Sequence, residues 1–293
     1  MAAKDLELPL VVIVGPTASG KSALALDIAK NFNGEIICAD SRTVYKSTSI
    51  GTGKPTKLDR EQVPHWGLNL VRPNESFSVS DYKKYADKKI AEIKKRGHIP
   101  FLVGGTGLYV DAVIFGYQFG KLPTEKTRLK LQRMSLDQLY EHCTKNNINL
   151  PENYKNKRYV IRKIENSNNL IERKSEPVYK NIIVGITTDK FLLRQQIERR
   201  VEQLLENAVV GEARRVSKKY GWENEAMKSN IYPLVRKYLN GDITIDDLRV
   251  ESAIVDWHLA KRQMTWLRRN SFIQWLTIND ANTYLTKQLA IYK

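Results

Sequence analysis

Residues Gly15-Pro16-Thr17-Ala18-Ser19-Gly20-Lys21-Ser22 fit the spacing G-x-x-x-x-G-K-[ST]. In such a loop the glycines let successive backbone N–H groups turn inward at a helix N-terminus, where they cradle phosphate oxygens. Lys21 brings a positive charge to the terminal phosphates, and the Ser22 hydroxyl is a ligand for Mg2+. The motif identifies its ligand but not its reaction. Transfer of a terminal phosphoryl group and departure of a diphosphate need the same electrostatic cradle. A carboxylate stands in a second suggestive place: Asp40 directly follows the apolar run Glu35–Ala39. A carboxylate at the end of a buried strand lies where open α/β sheets gather ligands.

Both groups need rigid supports. Short, nearly continuous apolar runs occur at Val11–Val14, Glu35–Ala39, Ile99–Gly105, Asn181–Thr188 and Phe272–Ile278. Runs of this kind suit strands buried on both faces, as in a parallel sheet. Helical patterns lie between them. One covers Ser22–Asn31. Another covers Ser80–Arg96, with Ser80 as the expected N-cap. A long one over Phe191–Lys219 places Leu193, Ile197, Val201, Leu204 and Ala208 on one stripe. A last one over Asp246–Arg269 places Val250, Ile254, Trp257, Met264 and Leu267 on another. Strand and helix alternate, so a doubly wound α/β core is expected. From Gly116 to Pro177 the chain is charged and helical in pattern, with a turn-rich exit at Glu165–Pro177. The expected division is a core of residues 1–115 and 178–293 with a helical lobe, 116–177, inserted into it.

The 293 residues include 48 Lys and Arg against 32 Asp and Glu, a formal net charge of +16. An excess of that size favours a polyanionic partner, since each neutralised phosphate releases counterions. The two cysteines, Cys38 and Cys143, fit neither a disulfide framework nor a metal site, and Cys38 is expected to pack in the core. No apolar stretch is long enough for a bilayer and the N-terminal residues lack the apolar core of a secretion signal, so a cytoplasmic protein without membrane contact is expected.

Five further segments follow in order: Asp40-Ser41-Arg42-Thr43-Val44-Tyr45, Ile50-Gly51-Thr52-Gly53-Lys54-Pro55-Thr56, Val63–Tyr82, Phe101–Gly116 and His258–Arg269. With the phosphate loop, this set resembles the tRNA dimethylallyltransferase family. The match covers most of residues 10–116 and, more loosely, 189–276. The resemblance implies a P-loop NTPase-like, nucleoside-kinase-like parallel sheet flanked by helices, with an inserted helical lobe that closes over tRNA. It implies transfer of a dimethylallyl group from dimethylallyl diphosphate to N6 of the adenosine 3′ of the anticodon, with release of diphosphate. Mg2+ is the implied cofactor, and the implied partner is a tRNA anticodon stem–loop; the chain is expected to act as a monomer.

On this reading Asp40 accepts the amine proton and Thr106 supports it. Lys21 and Arg200 act on the diphosphate, which Gly15–Ser22 hold with Mg2+ at Ser22. Ser41, Arg42 and Thr43 share the tRNA site with Asp40 and Thr106, and Arg128 falls where the family contacts tRNA. Arg158 and Arg162 in the lobe, and Lys261 and Arg262 near the end, are further candidate RNA contacts. Trp257, Trp266 and Trp275 are expected to pack rather than stack on bases. The chain departs from the family at Asn156 and Tyr159, at Gln196, and at Ile231 and Pro233 beside the matching Tyr232. Two other enzymes fit the phosphate loop: an isopentenyltransferase acting on free adenine nucleotides, and a small-molecule P-loop kinase. A tRNA-binding protein with a decayed site is the alternative outside enzymes.

Overall fold

The computed structural model describes residues 7–120, 125–167 and 172–292. Among them six strands form one sheet: β1 Leu10–Val14, β2 Gly34–Cys38, β3 His65–Trp66, β4 Ile99–Gly104, β5 Asn181–Ile186 and β6 Gln274–Leu276. Their spatial order is β3-β2-β4-β1-β5-β6, and every pairing is parallel. β1, β2 and β4 are buried along their whole length, which accounts for their apolar sequences, broken in β2 by Glu35. β3 has no such signature. It is a two-residue edge strand, too short to carry a period, and it was not expected.

Helices α1 (Lys21–Asn31), α2 (Lys57–Gln62), α3 (Val79–Lys95) and α4 (Gly107–Ile114) belong to the first half of the core. Helices α5 (Glu125–Arg133), α6 (Leu136–Lys145) and α7 (Lys157–Asn166) follow. Helices α8 (Lys190–Glu206), α9 (Val209–Tyr220), α10 (Ile231–Leu239), α11 (Ile245–Leu267) and α12 (Ile278–Leu289) complete the chain. The chain divides into two compact units, Met1–Ile114 with Pro177–Lys293, and Phe115–Glu176. The second unit packs α5, α6 and α7 around Leu131, Leu139, Cys143, Val160, Ile161 and Ile164. In the first, Ile13, Ile28, Phe101, Ile186 and Leu285 share the core on one side of the sheet, and Cys38 is buried with them.

Three helical expectations change. Ser78, not Ser80, caps α3: its hydroxyl accepts from Asp81 N–H while Asp81 accepts from Ser78 N–H. This reciprocal box outweighs the lone serine two residues on. The expected long helix breaks at Asn207–Ala208, where Ala208 takes a left-handed backbone (φ 62°). Leu193, Ile197, Val201 and Leu204 are buried as expected, but Ala208 is exposed. The break turns α9 so that Val209, Ala213 and Val216 enter a separate apolar cluster.

On α11, Val250 and Ile254 are exposed, and the inward face is Leu248, Ser252, Asp256, Ala260 and Leu267. That face is partly polar because it borders a cavity, so apolar spacing misplaced Val250 and Ile254, while Leu267 is buried as expected. Trp257, Trp266 and Trp275 are half-buried; the Trp266 Nε1–H donates to Asp111 Oδ2 at 2.7 Å.

At the N-terminal end of β2, far along the strand from Asp40, Glu35 is only 2% exposed. It accepts from Arg96 Nε (3.0 Å) and Nη2 (2.7 Å) and from Trp66 Nε1 (2.6 Å), and it faces His98 Nδ1 at 2.8 Å. Burial opposes its ionisation, but the donors led by Arg96 prevail and hold its carboxyl below the usual value. A depressed folded value stabilises the fold above the unfolded value and loses that effect as pH falls through the folded one. Glu35→Gln is therefore expected to cost about 1.5–3 kcal/mol in urea unfolding at neutral pH. The gap to the wild-type chain closes in acid, below about pH 4. A gap that is absent at neutral pH, or that widens in acid, contradicts this account.

Candidate active site

The phosphate loop leaves the carboxyl end of β1, the Asp40 turn that of β2, and the Thr106 turn that of β4. β2 and β1 flank β4, so the three turns are neighbours. At Gly104 a Cβ would lie 2.1 Å from the Ala39 carbonyl oxygen, so only glycine lets β4 close on the β2 turn. Thr106 N–H then donates to that carbonyl (3.1 Å), and the Thr106 hydroxyl accepts from Ser41 N–H (3.1 Å). Asp40 Oδ1 accepts from Arg42 N–H (2.8 Å), and its carbonyl accepts from the buried Thr43 hydroxyl (3.1 Å). The turn is thus fixed by local bonds, and one oxygen of the Asp40 carboxylate carries none of those named.

In the phosphate loop Ala18 and Gly20 have positive φ, and Ser19 is buried with its hydroxyl unpartnered. Lys21 opens α1, and its Nζ donates to the Pro16 carbonyl at 2.9 Å. Burial pulls its pKa down to about 8; Asp40 opposes that shift and Arg200 adds to it. The charges of both groups therefore bear on Lys21. Thr17 is engaged through both backbone and side chain: its N–H donates to Gln263 Oε1 (2.7 Å) and its hydroxyl accepts from Arg200 Nη1 (3.1 Å). Arg200 Nη1 also donates to Asp256 Oδ2 at 3.1 Å.

One cavity joins these groups. Thr17, Lys21, Asp40, Ser41, Arg42, Thr106, Arg200 and Arg262 all line it, and all were read from the sequence. The remaining loop residues, Gly15, Pro16, Ala18, Ser19, Gly20 and Ser22, do not line it, nor do Thr43 and Lys261. Ser22 is exposed on the first turn of α1. Among the described residues no three His, Cys, Asp or Glu side chains gather as a metal cage. A single hydroxyl at the phosphate loop suits an ion such as Mg2+, which keeps water and phosphate oxygens and takes few protein ligands.

Arg128, Arg158 and Arg162 belong to the second unit. Arg128 Nε lies 3.6 Å from Glu165 Oε1. Desolvation, then the nearby charges of Arg158 and Arg128, lower the pKa of Arg162, so the three cations stand together. Asn156 caps α7 by accepting from Arg158 N–H, which gives that departure from the family a structural task. Tyr159 is exposed.

Several lining residues had no site role in the sequence reading: Ser229, Asn230, Ser252 and Asp256, and also Gly51, Thr52 and Gln263, which fall in segments that carried the family resemblance. Gly51 and Thr52 are placed by a buried carboxylate. Glu212 on α9 accepts from the N–H groups of Ser49 (2.6 Å), Ile50 (2.9 Å) and Gly51 (2.9 Å) and from the Tyr232 hydroxyl (2.7 Å). The clamped loop continues to Gly53, whose φ is +61° and where a Cβ would meet Arg200 Nη2 at 2.7 Å. In the sequence Glu212 is one acidic residue in a charged helix, and nothing there separates it from its neighbours. Tyr232 carried the one available signal, through its match to the family.

These strand-end turns gather a phosphate loop, cationic side chains and a carboxylate around one cavity, the layout of a P-loop phosphate-binding site. The family model described as IPP transferase matches residues 43–270, and that described as isopentenyl transferase matches residues 8–65. The chain is 34% identical over 304 residues to a tRNA dimethylallyltransferase of Caldanaerobacter subterraneus, covering 95% of each. Its fold matches the crystal structure of a tRNA isopentenylpyrophosphate transferase from Bacillus halodurans, with TM-score 0.74, 31% identity and 97% of each chain covered. It also matches a eukaryotic dimethylallyltransferase captured acting on tRNA, with TM-score 0.79 and 25% identity, over 97% of this chain and 78% of that one. The chain belongs to the tRNA dimethylallyltransferase family of prenyltransferases.

Proposed function

We propose that this chain transfers a dimethylallyl group from dimethylallyl diphosphate to N6 of the adenosine 3′ of the tRNA anticodon. The observation that carries the reading is a single cavity lined by Lys21, Arg200, Asp40 and Thr106. The relatives' names favour tRNA prenylation over the free-nucleotide and kinase readings and over a decayed site.

An adenine amine is a weak nucleophile because its lone pair is delocalised into the ring. Asp40 accepts a proton from N6 as the new C–N bond forms. The bond from the prenyl carbon to oxygen breaks in the same step, and its electrons leave with the diphosphate. Lys21, Arg200 and the loop amides stabilise that growing charge. The Ser22 hydroxyl would hold Mg2+, which would supply further neutralisation of that charge. Thr106, tied to the Asp40 turn, keeps the base in place. The target adenosine must leave the anticodon stack, at a cost of a few kcal/mol. Arg42 and Arg262 at the cavity, Lys261 on α11, and Arg128, Arg158 and Arg162 in the helical unit offset that cost through phosphate contacts. We place the reaction in the cytoplasm with the chain as a monomer; no described helix is long and apolar enough to cross a membrane.

The test is a digest. Protein, Mg2+, dimethylallyl diphosphate and unmodified tRNA are incubated, and the nucleosides are analysed by mass spectrometry. One adenosine per substrate tRNA gains a C5H8 unit. Prenylation of free AMP with none on tRNA, or release of ADP from ATP and nucleosides without prenyl gain, overturns the proposal.

A further inference from the structure

The mechanism leaves one buried carboxylate of the cavity unused. Asp256 on α11 is 7% exposed and has both oxygens engaged. Oδ2 accepts from Arg200 Nη1 at 3.1 Å, and Oδ1 accepts from Asn230 Nδ2 at 2.9 Å. The same Arg200 nitrogen reaches the Thr17 hydroxyl at 3.1 Å, so the guanidinium is pinned between α11 and the phosphate loop. Its other terminal nitrogen lies against Gly53, in the loop that Glu212 clamps.

We propose that Asp256 is the internal counter-ion of Arg200: it positions the guanidinium and competes with the diphosphate for it, which restrains the affinity for released diphosphate. The inference rests on the reading above that Lys21 and Arg200 meet the diphosphate.

Two effects of Asp256 oppose each other. As a hydrogen-bond acceptor it orients Arg200, which helps binding. As the counter-ion of Arg200 it takes up part of the guanidinium's attraction that an incoming diphosphate would otherwise receive in full, which weakens binding. Uniformly tight binding of substrate and product does not speed the chemical step, and product held too strongly slows turnover. A fixed carboxylate lowers that uniform part while Arg200 stays aimed at the leaving group. Asparagine separates the two effects. Its amide oxygen still accepts from Arg200, its size is nearly unchanged, and the charge is gone. The charge effect then dominates the outcome.

The experiment is calorimetric titration of magnesium pyrophosphate into the full chain and its variants. Asp256→Asn binds pyrophosphate about tenfold more tightly than wild type, and in an Arg200→Gln background the same substitution has little effect. Pyrophosphate inhibits turnover of Asp256→Asn at correspondingly lower concentration, with KM for tRNA unchanged. A purely structural role predicts the opposite sign. Asp256→Ser also removes the charge and serves as the second variant if the asparagine chain fails to fold. Unchanged or weaker pyrophosphate binding in a folded variant overturns the inference, and so does tightening that persists without Arg200. If wild type binds no pyrophosphate, or Lys21→Ala binds it equally well, the diphosphate reading of the cavity fails, and this inference with it.

Discussion

An Asp40→Ala chain binds tRNA like wild type and turns over about 10²- to 10⁴-fold more slowly, the range that a positioned general base supplies. Binding survives because the turn has other supports. Thr106 N–H holds the Ala39 carbonyl, and the Thr106 hydroxyl holds Ser41 N–H, whatever stands at 40. The chemical step suffers because the N6 proton loses its acceptor. Asp40→Asn sharpens the point. Its amide oxygen still accepts the Arg42 N–H, so the turn is preserved, but a neutral amide cannot take the proton. Both variants are expected to lose rate together in single-turnover assays scored by nucleoside mass spectrometry, with filter binding of tRNA as the control. If Asp40→Asn keeps wild-type turnover, Asp40 acts as a structural acceptor and the base lies elsewhere.

How far the site could be read from sequence depended on where the information resides. The phosphate loop and the Asp40 turn are local. Their spacing, flanked by buried strands, fixes them without knowledge of the rest, and five of the cavity's residues, Thr17, Lys21, Asp40, Ser41 and Arg42, lie in them, whereas Thr106, Arg200 and Arg262 came with the family resemblance. Gln263, Asp256 and Glu212 depend on contacts formed across more than fifty residues of sequence, so no local period marks them. On α11 the difficulty is sharper. An apolar stripe at Val250 and Ile254 looks like a core face, while the face that packs inward carries Ser252 and Asp256. A helix that borders a polar cavity reverses the usual sign of the pattern. The break at Ala208 was hidden for a related reason. Alanine favours helix, and only the packing of α9, which brings Glu212 to the loop at Ser49–Gly51, makes a left-handed turn there worthwhile.

Lys21 gives the second large effect, and its pH dependence has a definite sign. Lys21→Ala removes the ammonium that steadies the leaving diphosphate and is expected to lower turnover by about 10²- to 10³-fold. In the wild-type chain burial opposes the charged form and brings the pKa down to about 8. The group is charged below that value and neutral above it. kcat/KM for the prenyl donor reports the free enzyme, so it falls as pH rises through about 8. A bound diphosphate favours the charged form, so the fall in kcat is displaced to higher pH. Lys21→Arg keeps its charge throughout this range and abolishes the alkaline fall in kcat/KM. Its absolute rate is lower, because the broader guanidinium cannot occupy the place of an Nζ bonded 2.9 Å from the Pro16 carbonyl. Initial rates at subsaturating donor across neutral to alkaline pH, for both chains, measure the difference. A wild-type profile that stays flat through pH 9, or an identical fall in Lys21→Arg, means that the proton lost at high pH belongs to another group.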